Sequence, residues 1–188
     1  MKEDKKDKIA WCITDGAAGN ISQVKGLASA MKLDFQLKEI KLRFPWKFLP
    51  VGYFPTFGSA IKDLDNLKDD VIPSYIITAG RKSIYSSLYL KNKFKNKVKT
   101  IHIQDPKINP KLFDCVVAPE HDSISGQNVI KSKLAINHIN DQLLFSEAKK
   151  FQEKLSFLKR PIVTIILGGK NKNYHFDKSQ LSEMEKKI

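Results

Sequence analysis

The chain has 188 residues, 41% of them hydrophobic, enough to bury one sizeable core at the upper end of single-domain length. Its net charge of +13 suits an anionic partner, yet the basic residues other than Arg43, Arg81 and Arg160 are lysines scattered through the chain, so nucleic-acid binding has only bulk charge in its favour. No uncharged apolar run approaches the roughly 20 residues that span a bilayer, and Cys12 and Cys115 lack the spacing of a zinc site.

Met1 to Lys8 alternates Lys with Asp and Glu, which is not the pattern of a secretory signal, so the expected location is cytoplasmic with peripheral contact at the inner membrane. Ile9 to Thr14 is an apolar run with little alternation, as expected of a strand covered on both faces. It ends in Asp15-Gly16-Ala17-Ala18-Gly19-Asn20, and Val24, Leu27, Ala28 and Met31 then recur at helical spacing, with Asn20 or Ser22 as N-cap. A small-residue loop opening a helix forms a nest of backbone N–H groups suited to an anion, though a tight turn accounts for it equally well. The dinucleotide fingerprint GxGxxG is absent.

Phe35 to Leu42 alternates apolar and polar side chains and reads as a second strand nearer an edge. From Phe44 to Phe57, aromatics are interleaved with Pro45, Pro50 and Pro55, which discourage a regular element. Two readings stand: a loop whose aromatics pack on the domain, or an apolar lip for a lipid-linked acceptor or membrane surface, flanked by Lys41, Arg43 and Lys47. Tyr75 to Ala79 is a third strand, and Gly80-Arg81-Lys82-Ser83 occupies the turn into a helix through Ile84, Leu88 and Lys91. Glycine permits close approach there, Arg81 offers a planar fork, and the helix N-terminus adds its dipole.

Lys99 to Ile103 supplies a fourth strand, in which His102 reads as a satisfied core histidine, followed by Gln104-Asp105-Pro106. Asp114 to Ala118 is the fifth, stopping at Pro119 and presenting Glu120, His121 and Asp122; the polar turn Ser125 to Val129 that follows resists placement. A long amphipathic helix is expected from Asp141 to Leu158. Ile162 to Leu167 is the most hydrophobic predicted strand, running into Gly168-Gly169-Lys170-Asn171, with a further helix from Asp177 or Ser179. The expected organisation is a lobe over 1–160 and, over 161–188, the first strand, Gly-Gly loop and helix start of an incomplete second lobe.

The fold class this implies is α/β, a Rossmann-like parallel sheet with helices on both faces. In such a sheet the strand ends share one edge, where a carboxylate, an imidazole and an arginine are the parts for deprotonating a hydroxyl and neutralising a phosphate leaving group. The candidate catalytic residues are His121, Glu120, Asp122 and Asp15. The candidate substrate- and phosphate-binding residues are Gly16, Gly19, Asn20, Gly80, Arg81, Ser83, Asp105, Asn128, Gly168, Gly169 and Asn171. Adjacent residues on a strand end diverge and seldom chelate one ion, so no metal is expected, and no cofactor.

Trp11 to Leu27, Ala79 to Ser83, Gln104 to Pro106, Phe113 to Val129 and Leu167 to Tyr174 resemble, in order and over nearly the whole chain, the bacterial and plant "elongated mitochondria" family of mitochondrial fission. Pro119-Glu120-His121-Asp122 and Gly168 to Tyr174 carry most of the match. Departures are Lys82, where a second Arg is common, and Leu134, where a Gly is common. The resemblance implies a two-lobed fold similar to the GT-B glycosyltransferases, with this chain as the N-terminal lobe and the opening of the next. It implies an acceptor held by the first lobe, a nucleotide sugar gripped by the second near Gly168 and Gly169, and a lipid-linked or saccharide acceptor. Plant members recruit a dynamin-related protein to the mitochondrial outer membrane, which implies a non-catalytic adaptor as the alternative. Bacterial members are often labelled nucleoside-diphosphate-sugar epimerases, but the Gly fingerprint is missing, and of the Tyr-x-x-x-Lys pairs Tyr89/Lys93 falls in the helix expected after the third strand and Tyr174/Lys178 at the opening of the second lobe.

Overall fold

The computed structural model describes residues 8–49, 58–62, 71–166 and 177–186. The chain divides into two compact units, Met1–Asn140 and Asp141–Ile188, and each is described by itself.

The first unit is built on a six-stranded sheet, wholly parallel. Its strands are β1 (Ile9–Thr14), β2 (Asp34–Glu39), β3 (Tyr75–Ala79), β4 (Lys99–Ile103), β5 (Cys115–Pro119) and β6 (Val129–Ser132), in the spatial order β2-β1-β3-β4-β5-β6. Helix α1 (Ala18–Ala30) joins β1 to β2, and α2 (Ser83–Phe94) follows β3. Successive side chains of a strand point to opposite faces, and β1 divides accordingly. Trp11 and Ile13 pack with Ile76, Tyr85 and Leu90 on the α2 face, whereas Ala10 and Cys12 pack with Val24, Ala28 and Ile77 on the α1 face. Both faces are therefore covered, which is why β1 and β3 are continuously apolar. Each fully buried Ile contributes about 2 kcal/mol.

β2 is an edge strand, and its alternation leaves Phe35 and Leu37 partly exposed. β6, at the other edge, is the strand the sequence pattern did not place. Helix α1 starts earlier than expected: Ala17 is its N-cap, and neither Asn20 nor Ser22 caps it. Gly26 lies where the chain crosses back over α1, because a Cβ there would come within 2.1 Å of the Asn137 carbonyl oxygen. That crossing is held by Ser22 Oγ, 2.8 Å from His138 Nδ1.

In the second unit, α3 (Asp141–Lys154) is shorter than the expected helix, and residues 155–157 continue as turns. α4 (Lys178–Glu185) begins at Asp177 with a full capping box, its carboxylate accepting from the Ser179 and Gln180 backbone N–H groups. The strand expected at 162–167 is not formed over 162–166. An apolar run becomes a strand only against a neighbour that accepts its ladder hydrogen bonds, and no such neighbour lies among the described residues of this unit.

The buried groups are structural. Burial pushes the Cys12 thiol up to about 12, opposed by Lys25, and its Sγ faces the Val24 carbonyl at 3.6 Å. Cys115 is half-buried and raised chiefly by desolvation, with Asp114 adding to it. His102 is the core histidine expected, 2.8 Å from Thr78 Oγ1 and stacked on Phe113.

Candidate functional site

The order β2-β1-β3-β4 makes β1 and β3 neighbours whose following helices lie on opposite faces. The chain leaves β1 in one direction and β3 in the other, so a crevice opens outside their carboxyl ends, where open α/β sheets bind ligands. Two loops flank it, Asp15 to Ala17 and Gly80 to Lys82.

Both loops turn sharply at glycine. Gly16 has φ +86 and Gly80 φ +89, a region that L side chains rarely adopt. Gly80 is also tight: a Cβ there would sit 2.3 Å from Asn20 Nδ2 and 3.5 Å from Asp15 Oδ1. The two strand ends therefore meet at backbone distance, bringing Asp15, Asn20, Gly80 and Arg81 together.

The anion at the start of α1 is the protein's own. Asp15 Oδ1 accepts from Asn20 Nδ2 at 2.9 Å and from the Ala17 backbone N–H at 3.4 Å, while Lys82 Nζ stands 3.9 Å from Oδ2. The nest expected at residues 15–20 thus receives a side chain of its own loop. Asn20 is held in turn, since Gln104 Nε2 donates to Asn20 Oδ1 at 3.2 Å and to Gln23 Oε1 at 2.9 Å. Gln104, just past β4, has φ +85. A non-glycine residue there is strained, and such strain clusters at functional sites. The relay runs Gln104 to Asn20 to Asp15 and fixes one carboxylate at the mouth of the crevice.

Beside it lies a cavity of about 90 Å³ lined by Asp15, Leu42, Trp46, Lys47, Leu49, Arg81, Lys82 and Tyr85. Its outer wall is the turn Trp46–Phe48, whose base is pinned by the antiparallel bridge between Leu42 and Ile61. Burial raises the Tyr85 phenol well above its usual range, with the charge of Arg81 opposing. The aromatic segment divides its roles. Trp46 and Leu49 are half-buried against the cavity, whereas Phe44 and Phe48 are 77% and 71% exposed and stack edge to face at 6.3 Å. Residues 50–57 lie outside the described residues.

The other expected residues sit elsewhere. Ser83 is buried, and its hydroxyl donates back to the Ala79 and Gly80 carbonyls. Gly19 lies in the first turn of α1 with open space around it. Asp105 is occupied by Lys107: burial raises its carboxyl, but the side-chain and backbone hydrogen bonds of Lys107 outweigh this and hold it below the usual range. Asn128 is at the opposite edge of the sheet, donating to the Pro110 and Phe113 carbonyls. Glu120, His121 and Asp122 form the turn after β5; Glu120 and His121 are exposed, and Lys131 Nζ donates to the Asp122 carbonyl. β5 is three strand intervals from β1, roughly 14 Å at strand spacing, and no hydrogen bond or ion pair among the described residues joins that turn to Asp15 or Arg81. Gly168, Gly169 and Asn171 lie outside the described residues.

Sequence reasoning missed Lys82, Gln104, Trp46 and Tyr85 as parts of the site. Lys82 carried a usable signal, directly after Arg81 at a strand-to-helix turn. Gln104 carried none, because nothing in its type announces a left-handed backbone. Among the described residues, no three His, Cys, Asp or Glu side chains are grouped to hold a metal ion.

Comparison with known proteins adds the family. The model for mitochondrial fission ELM1 matches residues 18–188. The chain belongs to the mitochondrial fission ELM1 family. This ELM1-family chain is also similar to the uncharacterized protein RP120 of Rickettsia prowazekii (strain Madrid E), 27% identical over 199 residues, covering 89% of this chain and 56% of the relative. It therefore spans little more than half the length of that curated protein. No solved structure matches it.

Proposed function

We propose that the full-length ELM1-family protein is a GT-B-like glycosyltransferase, moving a sugar from a nucleotide donor to an acceptor hydroxyl held in the crevice between β1 and β3. The observation that carries this reading is Asp15, a carboxylate fixed by Asn20 and Gln104 at the switch point of a parallel sheet. A general base needs a fixed position within reach of the hydroxyl, and a relay of amides supplies it without consuming both carboxylate oxygens. In the reaction, Asp15 takes the proton of the acceptor hydroxyl as its oxygen attacks the anomeric carbon. The bond from that carbon to the nucleotide's terminal phosphate breaks, and the diphosphate leaves with the electron pair. Envelope or lipid-linked saccharides are the acceptor class, and the donor is held by the part of the full-length protein beyond this chain. Glu120, His121 and Asp122 stand too far along the sheet to share the proton with Asp15, and belong to acceptor contacts at the same edge.

A thermal-shift screen of the 188-residue chain and of a full-length ELM1-family protein against UDP-, GDP-, ADP- and CMP-sugars tests this. Stabilisation of the full-length protein by one donor class is expected. No shift in either, with both folded, favours the adaptor reading, for which the exposed Phe44 and Phe48 supply a contact surface.

A further inference from the structure

The 90 Å³ cavity beside Asp15 has a size and a charge that together narrow its occupant. It is small, with room for a few ordered waters or for a compact anionic group such as one phosphoryl group. Three cations line it, Lys47, Arg81 and Lys82, against one carboxylate. Lys82 stands 3.9 Å from Asp15, so that pair is close to neutral, and Lys47 and Arg81 remain as the surplus cationic residues of the lining. Among the described residues Arg81 makes no ion pair, and Lys47 Nζ lies over the Phe48 ring at 4.8 Å. A phosphomonoester carries about 1.5 to 2 negative charges at neutral pH, which matches that surplus, whereas a diester carries one. Arg81 also sits in the last turn before α2, a twelve-residue helix whose N-terminal dipole favours the same sign of ligand.

We propose that this cavity is a binding site for a terminal phosphomonoester. The remainder of the ligand leaves past Trp46 and Leu49, toward the exposed Phe44 and Phe48. The inference deepens the acceptor side of the transferase reading by making the acceptor phosphate-bearing, but binding here needs no donor, so either can fail alone. The phosphate can belong to a soluble molecule or to a lipid headgroup, because the cavity recognises only the terminal group.

The test is binding by the 188-residue chain, followed by calorimetry with glycerol 3-phosphate and by co-sedimentation with vesicles. The vesicles are phosphatidylcholine alone, or phosphatidylcholine carrying phosphatidic acid (a monoester) or phosphatidylglycerol (a diester). Binding of glycerol 3-phosphate, of phosphatidic acid vesicles, or of both supports the site and tells which source it takes. Phosphatidylglycerol should bind more weakly, and lowering the pH through the second phosphate pKa of about 6 should weaken the monoester. Arg81→Ala and Lys47→Ala, both on exposed side chains, should each weaken binding about tenfold, while Lys99→Ala, at the amino-terminal end of β4, should leave it unchanged. Failure of both monoester probes with the chain folded, equal binding of the two anionic vesicles, or equal loss in all three variants would overturn the proposal.

Discussion

His102 makes the stability of this fold depend on pH above the range in which carboxylates titrate. It is 1% exposed on β4, with Nδ1 2.8 Å from Thr78 Oγ1 and its ring stacked on Phe113 at 5.2 Å. Burial lowers its pKa from the ordinary 6.5 to about 3, with the charge of Asp105 opposing. Because the folded pKa is depressed, the unfolded chain binds the proton first. Stability is therefore fully present above pH 6.5 and is lost as pH falls toward 3. Each unit of that window costs about 1.4 kcal/mol, so on the order of 3 kcal/mol is gone by roughly pH 4.5. The depressed carboxylates Asp105 and Asp114, whose ordinary value is 3.8, begin to lose their contributions only below about pH 5, at the acid end of this window. His102→Gln keeps the volume close and cannot titrate. Urea midpoints of both proteins between pH 7.5 and 4.5 should show the variant about 1 kcal/mol less stable at neutral pH, from lost packing, yet nearly flat where the native chain declines. Parallel pH profiles for the two proteins would refute the assignment.

Gly26→Ala reverses the usual sign of a helical Gly-to-Ala change, because the new methyl meets the Asn137 backbone at 2.1 Å; a loss of about 1–3 kcal/mol in a denaturant titration is expected. Asp114 accepts from the Thr100 N–H and hydroxyl, both at 2.8 Å, and lies 3.2 Å from Lys91. Burial raises its carboxyl, but the Thr100 and Lys91 hydrogen bonds outweigh that and leave it depressed. Asp114→Ala should cost about 2 kcal/mol at pH 7, a difference from the native chain that closes as acid protonates the carboxylate. Gln104→Gly relieves a backbone at φ +85 while removing the amide that holds Asn20. Stability should stay within about 1 kcal/mol, and sugar transfer by the full-length protein should fall about tenfold or more in a steady-state assay.

Four strands were legible because both faces are covered. Ile9–Thr14, Tyr75–Ala79, Lys99–Ile103 and Cys115–Pro119 are apolar runs that stop at small or charged residues, and the periodicity of α1 and α2 follows them directly. β6 was not legible: Val129-Ile130-Lys131-Ser132 is four residues long, lies at an edge, and leaves Ile130 exposed, so it shows no pattern of its own. Ile162 to Ile166 is the converse, a run hydrophobic enough for a buried strand that stays unpaired among the described residues, because composition does not supply a partner. The site was legible in its parts and not in its assembly. Asp15, Gly80 and Arg81 announce themselves at strand ends, but only the order β2-β1-β3 makes them neighbours, and no local pattern states which strand lies beside β1. The same order sets Glu120 and His121 at a distance, although Pro-Glu-His-Asp is the denser cluster of ionisable groups.

Asp15 is the residue on which the account turns. The direct measurement is an assay of the proposed sugar transfer by a full-length ELM1-family protein, with the nucleotide sugar that stabilises it in the thermal-shift screen, comparing Asp15→Asn with His121→Ala. Asparagine keeps an oxygen to accept from Asn20 and cannot take a proton, so Asp15→Asn should lower kcat about a hundredfold or more with stability unchanged. His121→Ala, three strand intervals away, should retain most of the rate. Full activity in Asp15→Asn, or loss confined to His121→Ala, would contradict the account.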